Sequence, residues 1–70
     1  MKKELKIALQ GAIKKVEDVK NKQVLKDLLN SLNRCSNIYC HYVENRVLYW
    51  WLVDHQYIEK FIIDRIGCGR

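Results

Sequence analysis

Hydrophobic positions recur with a helical period through the first half of the chain. From about residue 3 to residue 20 they step by four, three, four and three, the spacing of one stripe on an amphipathic helix. This stripe contains Leu5, Leu9, Ala12, Val16 and Val19. Gly11 lies inside it at a cost of about 1 kcal/mol relative to alanine. The segment is therefore predicted to form one helix over residues 3–20, or two shorter ones.

A second helical stripe follows over about residues 22–33, out of phase with the first. It contains Val24, Leu25, Leu28, Leu29 and Leu32. Asn21 precedes this stripe and is a residue type that caps helix N-termini. Asn and Ser then cluster where the pattern fades, which predicts a loop at about residues 33–37.

The second half of the chain contains seven consecutive apolar residues, Val47 to Val53, including both tryptophans. As a helix this run would be apolar on every side, and a chain of 70 residues has little with which to surround it. As a strand it divides into two faces, and Val, Tyr and Trp favour strands. Residues 38–43 are also rich in strand-favouring types, and Asn45 suits a tight turn. The pattern predicts a β-hairpin over about residues 38–53.

A final helix is predicted over about residues 55–66, with Asp54 as its N-cap and Gly67 as its stop. The order helix, helix, hairpin, helix makes residues 1–70 a single domain of the α+β class, a small winged-helix-like fold. The alternative is an all-α helical bundle in which residues 37–66 form one long helix.

Charge and length indicate the kind of partner. The chain has 13 Lys and Arg against 8 Asp and Glu, a formal charge of +5, which favours a polyanionic partner. A chain this short buries only about 60% of its unfolded surface, which favours a homodimer. No apolar run is long enough to span a membrane, and the N-terminus is unlike a signal peptide. We therefore expect a cytoplasmic protein with no membrane partner.

The residues that carry chemistry do not form a catalytic or metal-binding set. Three cysteines cannot all pair within one chain, and we expect reduced thiols. Cys35, Cys40 and His41, with His55 or Cys68, offer soft-metal donors, but the Cys-x4-Cys spacing has no second pair. Asp and Glu lie on faces that also carry Lys or Arg, and there is no glycine-rich phosphate loop. We predict no enzyme activity, metal or cofactor.

Residues 45–54 resemble the wing of winged-helix DNA-binding proteins of the arsenic-repressor (ArsR) family. That wing often reads Gly-Arg-x-Val-Tyr-Tyr-x-Leu-x-Asp and leads into a C-terminal dimerisation helix. Arg46, Tyr49, Leu52 and Asp54 match it without a gap, and Asn45 stands at the glycine. The spacing of Ile13, Val19, Val24 and Leu28 is similar to that of a helix-turn-helix, although Lys14 and Asp18 replace its small residue and turn glycine.

The resemblance and the charge together imply a small dimeric DNA-binding protein that regulates transcription. In that hypothesis the second helix enters the major groove of double-stranded DNA and the hairpin touches its flank. The predicted DNA-binding residues are Lys22, Gln23, Lys26, Asn30, Arg34, His41 and Arg46. The predicted homodimer interface consists of Trp50, Tyr57, Ile58, Phe61, Ile62 and Ile66. The alternative function is an all-helical protein–protein interaction module, such as a phage-type or virus-type inhibitor or adaptor of a host protein.

Overall fold

The computed structural model describes residues 2–66, and over this range the chain forms five α-helices and no β-strand. They are α1 (Lys2–Lys15), α2 (Val19–Arg34), α3 (Ile38–Glu44), α4 (Arg46–Asp54) and α5 (Lys60–Ile66). The first two pack against each other most extensively, and α3 contacts α2, α4 and α5. None of the helices in residues 2–66 has both the length and the apolar character that crossing a membrane requires.

The predicted α+β class is wrong, and the all-α alternative gives the correct class. Residues 38–53, predicted as a hairpin, form α3 and α4 with Asn45 between them. The winged-helix architecture therefore has no wing within the described residues. The single long helix of the alternative is also divided, because the helical pattern is interrupted at Asn45 and again between α4 and α5.

The hairpin prediction failed because α4 does not need cover on every side. Tyr49, Trp50 and Leu52 are buried, and Trp51 is half-buried against the same core. Only Val47, with 84% of its surface exposed, is left largely in solvent. In a helix of only nine residues, the seven consecutive apolar side chains leave just one valine largely exposed to water.

Polar side chains start two of the helices. The Asp18 carboxylate accepts hydrogen bonds from the backbone N–H groups of Lys20 at 2.8 Å and Asn21 at 3.2 Å. The second helix therefore begins at Val19, and Asn21, the predicted cap, lies inside it. Asn37 caps α3 in the same way. An N-cap side chain satisfies N–H groups that have no partner within the helix.

The last predicted helix begins later than expected. Asp54, its predicted cap, is the final residue of α4, and α5 begins only at Lys60. Gln56 in the intervening turn has a φ of 63°, a left-handed conformation that reverses the chain. The predicted helix stop at Gly67 lies outside the described residues.

The amphipathic stripes of the first two helices were predicted correctly. Leu5, Leu9, Ala12 and Val16 are at most 2% exposed, and Gly11 does not divide α1. The stripe of α2 contributes Leu25, Leu28 and Leu32 to the same core. Val19 and Val24 are the exceptions, since they are 80% and 44% exposed on α2.

Two contacts join the start of α1 to distant parts of the chain. The Lys2 ammonium donates to the backbone carbonyls of Cys35, at 2.9 Å, and Asn33, at 3.3 Å. Glu4 forms a salt bridge of 2.7 Å with Arg65 of α5. The start of α1 therefore lies beside the end of α2, so the two helices run antiparallel.

Candidate functional site

His41 lies in the core and not on the surface. Its side chain is 3% exposed, and Nε2 lies 2.6 Å from the hydroxyl of Tyr49. Nδ1 lies 3.5 Å from Oγ of Ser31. Burial lowers the pKa of His41, an effect that the nearby Glu44 partly opposes. Because burial favours the neutral imidazole, the Tyr49 hydroxyl donates to Nε2 and Nδ1–H faces Ser31. A side chain in this position does not reach DNA.

A second buried pair lies beside the first. The indole N–H of Trp50 donates to the Tyr42 hydroxyl at 2.9 Å, and the rings of Tyr42 and Tyr49 are 6.1 Å apart. Both pairs join residues eight apart across Asn45, whose amide donates to the His41 carbonyl at 2.9 Å. Eight residues rise about 12 Å along a straight helix, so the break at Asn45 allows these side chains to meet. They stabilise the junction of α3 and α4.

The candidate metal donors are not brought together. Cys35 is half-buried and Cys40 is exposed, and both are free thiols. The ring of His55 stacks on Trp51 at a centroid distance of 4.2 Å. Within residues 2–66 no three His, Cys, Asp or Glu side chains are placed to hold a metal ion. Cys68 lies outside this range.

The net positive charge belongs to the first two helices. Residues 2–34 carry nine Lys or Arg and four Asp or Glu, a net +5. Residues 35–66 carry three Lys or Arg and four Asp or Glu, a net −1. The aromatic half of the chain is thus nearly neutral, and the α1–α2 pair is strongly basic.

Basic and amide side chains form two rows on the α1–α2 pair. Residues spaced by four lie on the same side of a helix. The row on α1 is Lys6, Gln10 and Lys14, and the row on α2 is Lys22, Lys26, Asn30 and Arg34. All seven are exposed or half-buried. We call these seven residues the basic face.

The start of the α1 row lies close to the end of the α2 row. Lys2 continues the α1 row toward the N-terminus, and its ammonium reaches the end of α2, so this side of α1 is turned toward α2. No carboxylate interrupts either row. The nearest acid in the sequence of α2, Asp27, accepts a hydrogen bond from the Gln23 amide at 3.1 Å. Asp27 also lines a shallow concavity with Asn30 and Arg34, so its carboxylate offsets part of the positive charge at that end of the face.

Five of the predicted DNA-binding residues lie together on α2, and two lie elsewhere. Lys22, Lys26, Asn30 and Arg34 form the α2 row, with Gln23 beside it. His41 is in the core, and Arg46 lies at the mouth of a groove on another side of α2.

This groove separates α2 from the α3–α4 junction and has a volume of about 520 Å³. Its apolar walls come from Val24 and Leu25 of α2 and from Val43, Leu48 and Trp51 across the gap. Val24 and Val43 are 44% and 47% exposed. We call this concavity the apolar groove. The sequence pattern does not predict this groove, because the groove depends on α3 and α4 being helices.

Most of the residues predicted to form the dimer interface pack against the core of the monomer. Trp50, Ile58 and Ile62 are at most 8% exposed and belong to the core cluster. Tyr57 and Ile66 are half-buried against it. Phe61, at 54% exposed, is the one member of this set with a large free surface. The periodicity of the last helix was only partly correct. Ile62 and Ile66 of α5 pack on the chain's own core, whereas Tyr57 and Ile58 precede α5 and the fully buried Ile63 was not predicted.

The comparisons with known proteins identify no family. The chain matches no protein-family model, no curated protein and no solved structure. The resemblance of residues 45–54 to the arsenic-repressor wing therefore stays untested by any relative, and the hairpin that it implied is replaced by α4.

Proposed function

We propose that this protein binds double-stranded DNA through the basic face. The observation that carries the proposal is the pair of rows on α1 and α2, in which Lys, Arg and amide side chains follow one another at four-residue intervals. Side chains of this kind are the ones that contact phosphate oxygens in protein–DNA complexes. The proposal rests on charge and side-chain placement, and it no longer needs a wing.

The dimensions of the basic face suit a nucleic-acid backbone. Twelve residues separate Lys22 from Arg34, which corresponds to about 18 Å along a helix axis. Duplex DNA presents a phosphate on each strand about every 3.4 Å along its axis. The α2 row therefore spans about five phosphates of one strand, and the α1 row adds Lys6 and Lys14.

Binding through such a face is mainly electrostatic, so its affinity depends strongly on salt. The logarithm of the association constant falls with log salt at a slope of about −0.9 for each phosphate neutralised. The five cations of the basic face predict a slope of about −4 to −5. The asparagine and glutamine side chains contribute orientation on the backbone, with little dependence on salt.

The test is a titration of a fluorescently labelled 20-base-pair duplex at several salt concentrations, followed by anisotropy. The double variant Lys22→Gln, Lys26→Gln is expected to weaken binding and to reduce the salt slope by about 2. Lys60→Gln is the matched control, since Lys60 is an exposed lysine of α5 outside the basic face. Its loss removes one charge from the chain and leaves the slope nearly unchanged.

Two results would overturn this proposal. One is an affinity weaker than about 1 mM at low salt. The other is an equal loss of binding in Lys60→Gln and in the single variant Lys26→Gln, which would show that net charge alone matters. A pull-down that returns one protein and no DNA would instead favour the all-helical interaction module.

A further inference from the structure

Val47 forms an apolar ridge between two hollows. It is the most exposed large hydrophobic residue in the described range, at 84%. The apolar groove, of about 520 Å³, lies on one side of it. A second concavity of about 510 Å³ lies on the other, and both have Arg46, Val47 and Trp51 in their walls. Apolar surface concentrated in this way, on a protein with polar surroundings, is typical of an interaction site.

Opposite charges flank Asn45, beside this ridge, in a self-complementary order. Glu44 and Arg46 are exposed on the two sides of Asn45, and neither forms a salt bridge with another residue of the range 2–66. A two-fold axis that passes near Asn45 would bring Glu44 of one copy opposite Arg46 of the other. The same rotation would bring the second pair together. One symmetric contact thus satisfies both charges.

The geometry points to a second copy of this chain as the occupant of the apolar groove. In this homodimer Val47 of each protomer enters the groove of its partner, between Val24 and Val43. Two reciprocal Glu44–Arg46 pairs lie on either side of the two-fold axis. The basic face stays outside the contact, so the two strongly positive surfaces need not approach each other. This inference does not depend on the DNA-binding proposal.

The number of residues in the proposed interface indicates how tightly the dimer should associate. Ten residues line the apolar groove, and the second concavity adds Trp50 and Asp54, which gives twelve. Stable interfaces use about 20–30 residues on each side. The dimer is therefore expected to be reversible, with a dissociation constant between about 1 µM and 1 mM.

Sedimentation velocity over this concentration range tests the ridge. Val47→Asp places a carboxylate in an apolar groove and is expected to weaken dimerisation at least about tenfold. Val19→Asp is the matched control, because Val19 is also a helical valine, 80% exposed, and lies outside both concavities. Circular dichroism checks that both variants keep the helical fold.

A charge exchange tests the two-fold arrangement. Glu44→Arg and Arg46→Glu are each expected to weaken the dimer, because each places like charges opposite one another. The double variant E44R/R46E restores opposite charges across the axis and is expected to recover most of the lost affinity. A contact without this symmetry would gain nothing from the second substitution.

Three outcomes would overturn the inference. The first is a wild-type chain that is monomeric up to about 1 mM, as expected if the groove takes a segment of another protein. The second is a dimer that Val47→Asp weakens no more than Val19→Asp does. The third is a double exchange that fails to restore affinity. A wild-type chain that dimerises as described but does not bind the duplex would overturn the DNA-binding proposal alone.

Discussion

Replacement of Tyr49 by phenylalanine isolates the hydrogen bond at the centre of the α3–α4 junction. The ring of Tyr49 is fully buried, and its hydroxyl lies 2.6 Å from Nε2 of His41. Tyr49→Phe keeps the ring and removes only this hydroxyl. The imidazole nitrogen then has no donor in a site from which water is excluded.

The expected cost combines two effects. A net intramolecular hydrogen bond contributes about 0.5–1.5 kcal/mol, and a buried polar group left without a partner costs about 1–3 kcal/mol. The short distance and full burial place this case in the middle of the second range, at about 2 kcal/mol. For a domain of this size 1 kcal/mol shifts the melting temperature by about 4–8 °C, so a decrease of roughly 8–16 °C is expected.

Urea and thermal unfolding, both followed by circular dichroism at neutral pH, provide the measurement. Tyr39→Phe is the matched control, since Tyr39 lies on the same helix as His41 with 52% of its surface exposed. Loss of the Tyr39 hydroxyl is expected to change the free energy of unfolding by less than about 0.5 kcal/mol. If Tyr49→Phe also changes the free energy of unfolding by less than about 0.5 kcal/mol, the His41–Tyr49 contact does not stabilise the junction and the reasoning is refuted.

Three further perturbations test other parts of the bundle. Burial lowers the folded-state pKa of His41 below its usual 6.5. As the pH falls, the unfolded chain therefore binds this proton before the folded chain does. The contribution of neutral His41 to folding stability is complete above pH 6.5 and decreases as the pH falls below that value. An NMR titration in which the pKa of His41 is 6.5 or higher would contradict this. Asp18→Ala removes the cap of α2 and is expected to cost about 0.5–2 kcal/mol in urea unfolding; an unchanged midpoint would argue against the cap. Gly11→Ala is expected to stabilise the protein by about 0.5–1 kcal/mol, because an added Cβ meets no atom within 4 Å in the middle of α1, and a lower melting temperature would show that the space is not free.

The first two helices could be predicted from the sequence because their apolar residues follow one period. Leu5, Leu9 and Ala12 are spaced as a helix requires, and all three are buried. The boundary between the two helices was predicted wrongly, because α1 ends at Lys15 and not at about residue 20. Asp18 was available as a cap, but it was interpreted as a departure from a helix-turn-helix, and α2 therefore begins three residues before the predicted start at residue 22.

The second half was mispredicted because local residue preferences and tertiary contacts disagree there. β-branched and aromatic residues favour strands when considered alone. In α4 the hydroxyl of Tyr49 and the indole N–H of Trp50 find buried partners on α3, and Tyr49, Trp50 and Leu52 enter one core together. These tertiary contacts outweigh the local preference for strands. Asn37, placed as an N-cap, was the local signal that a helix begins there.

The candidate sites also differ in how far the sequence alone predicts them. The α2 row of the basic face was predicted by residue, since a helix with one buried side exposes the opposite side whatever it packs against. The apolar groove depends on the relative placement of α2 and the α3–α4 junction, which no periodicity encodes. His41 was misplaced because polarity alone does not indicate burial when the partner, Tyr49, is eight positions away.

The contacts that join the start of α1 to the rest of the chain have a consequence for folding kinetics. Because the connection between α1 and α2 is short, these helices can associate with little loop-closure entropy. The pair formed by Glu4 and Arg65 closes a loop of 61 positions and gains from assembly only after the other helices are in place. We therefore expect substitutions between α1 and α2 to slow folding, whereas the loss of Glu4 mainly accelerates unfolding. The N-terminal helix would then be the first element to find a partner and the last to complete its contacts.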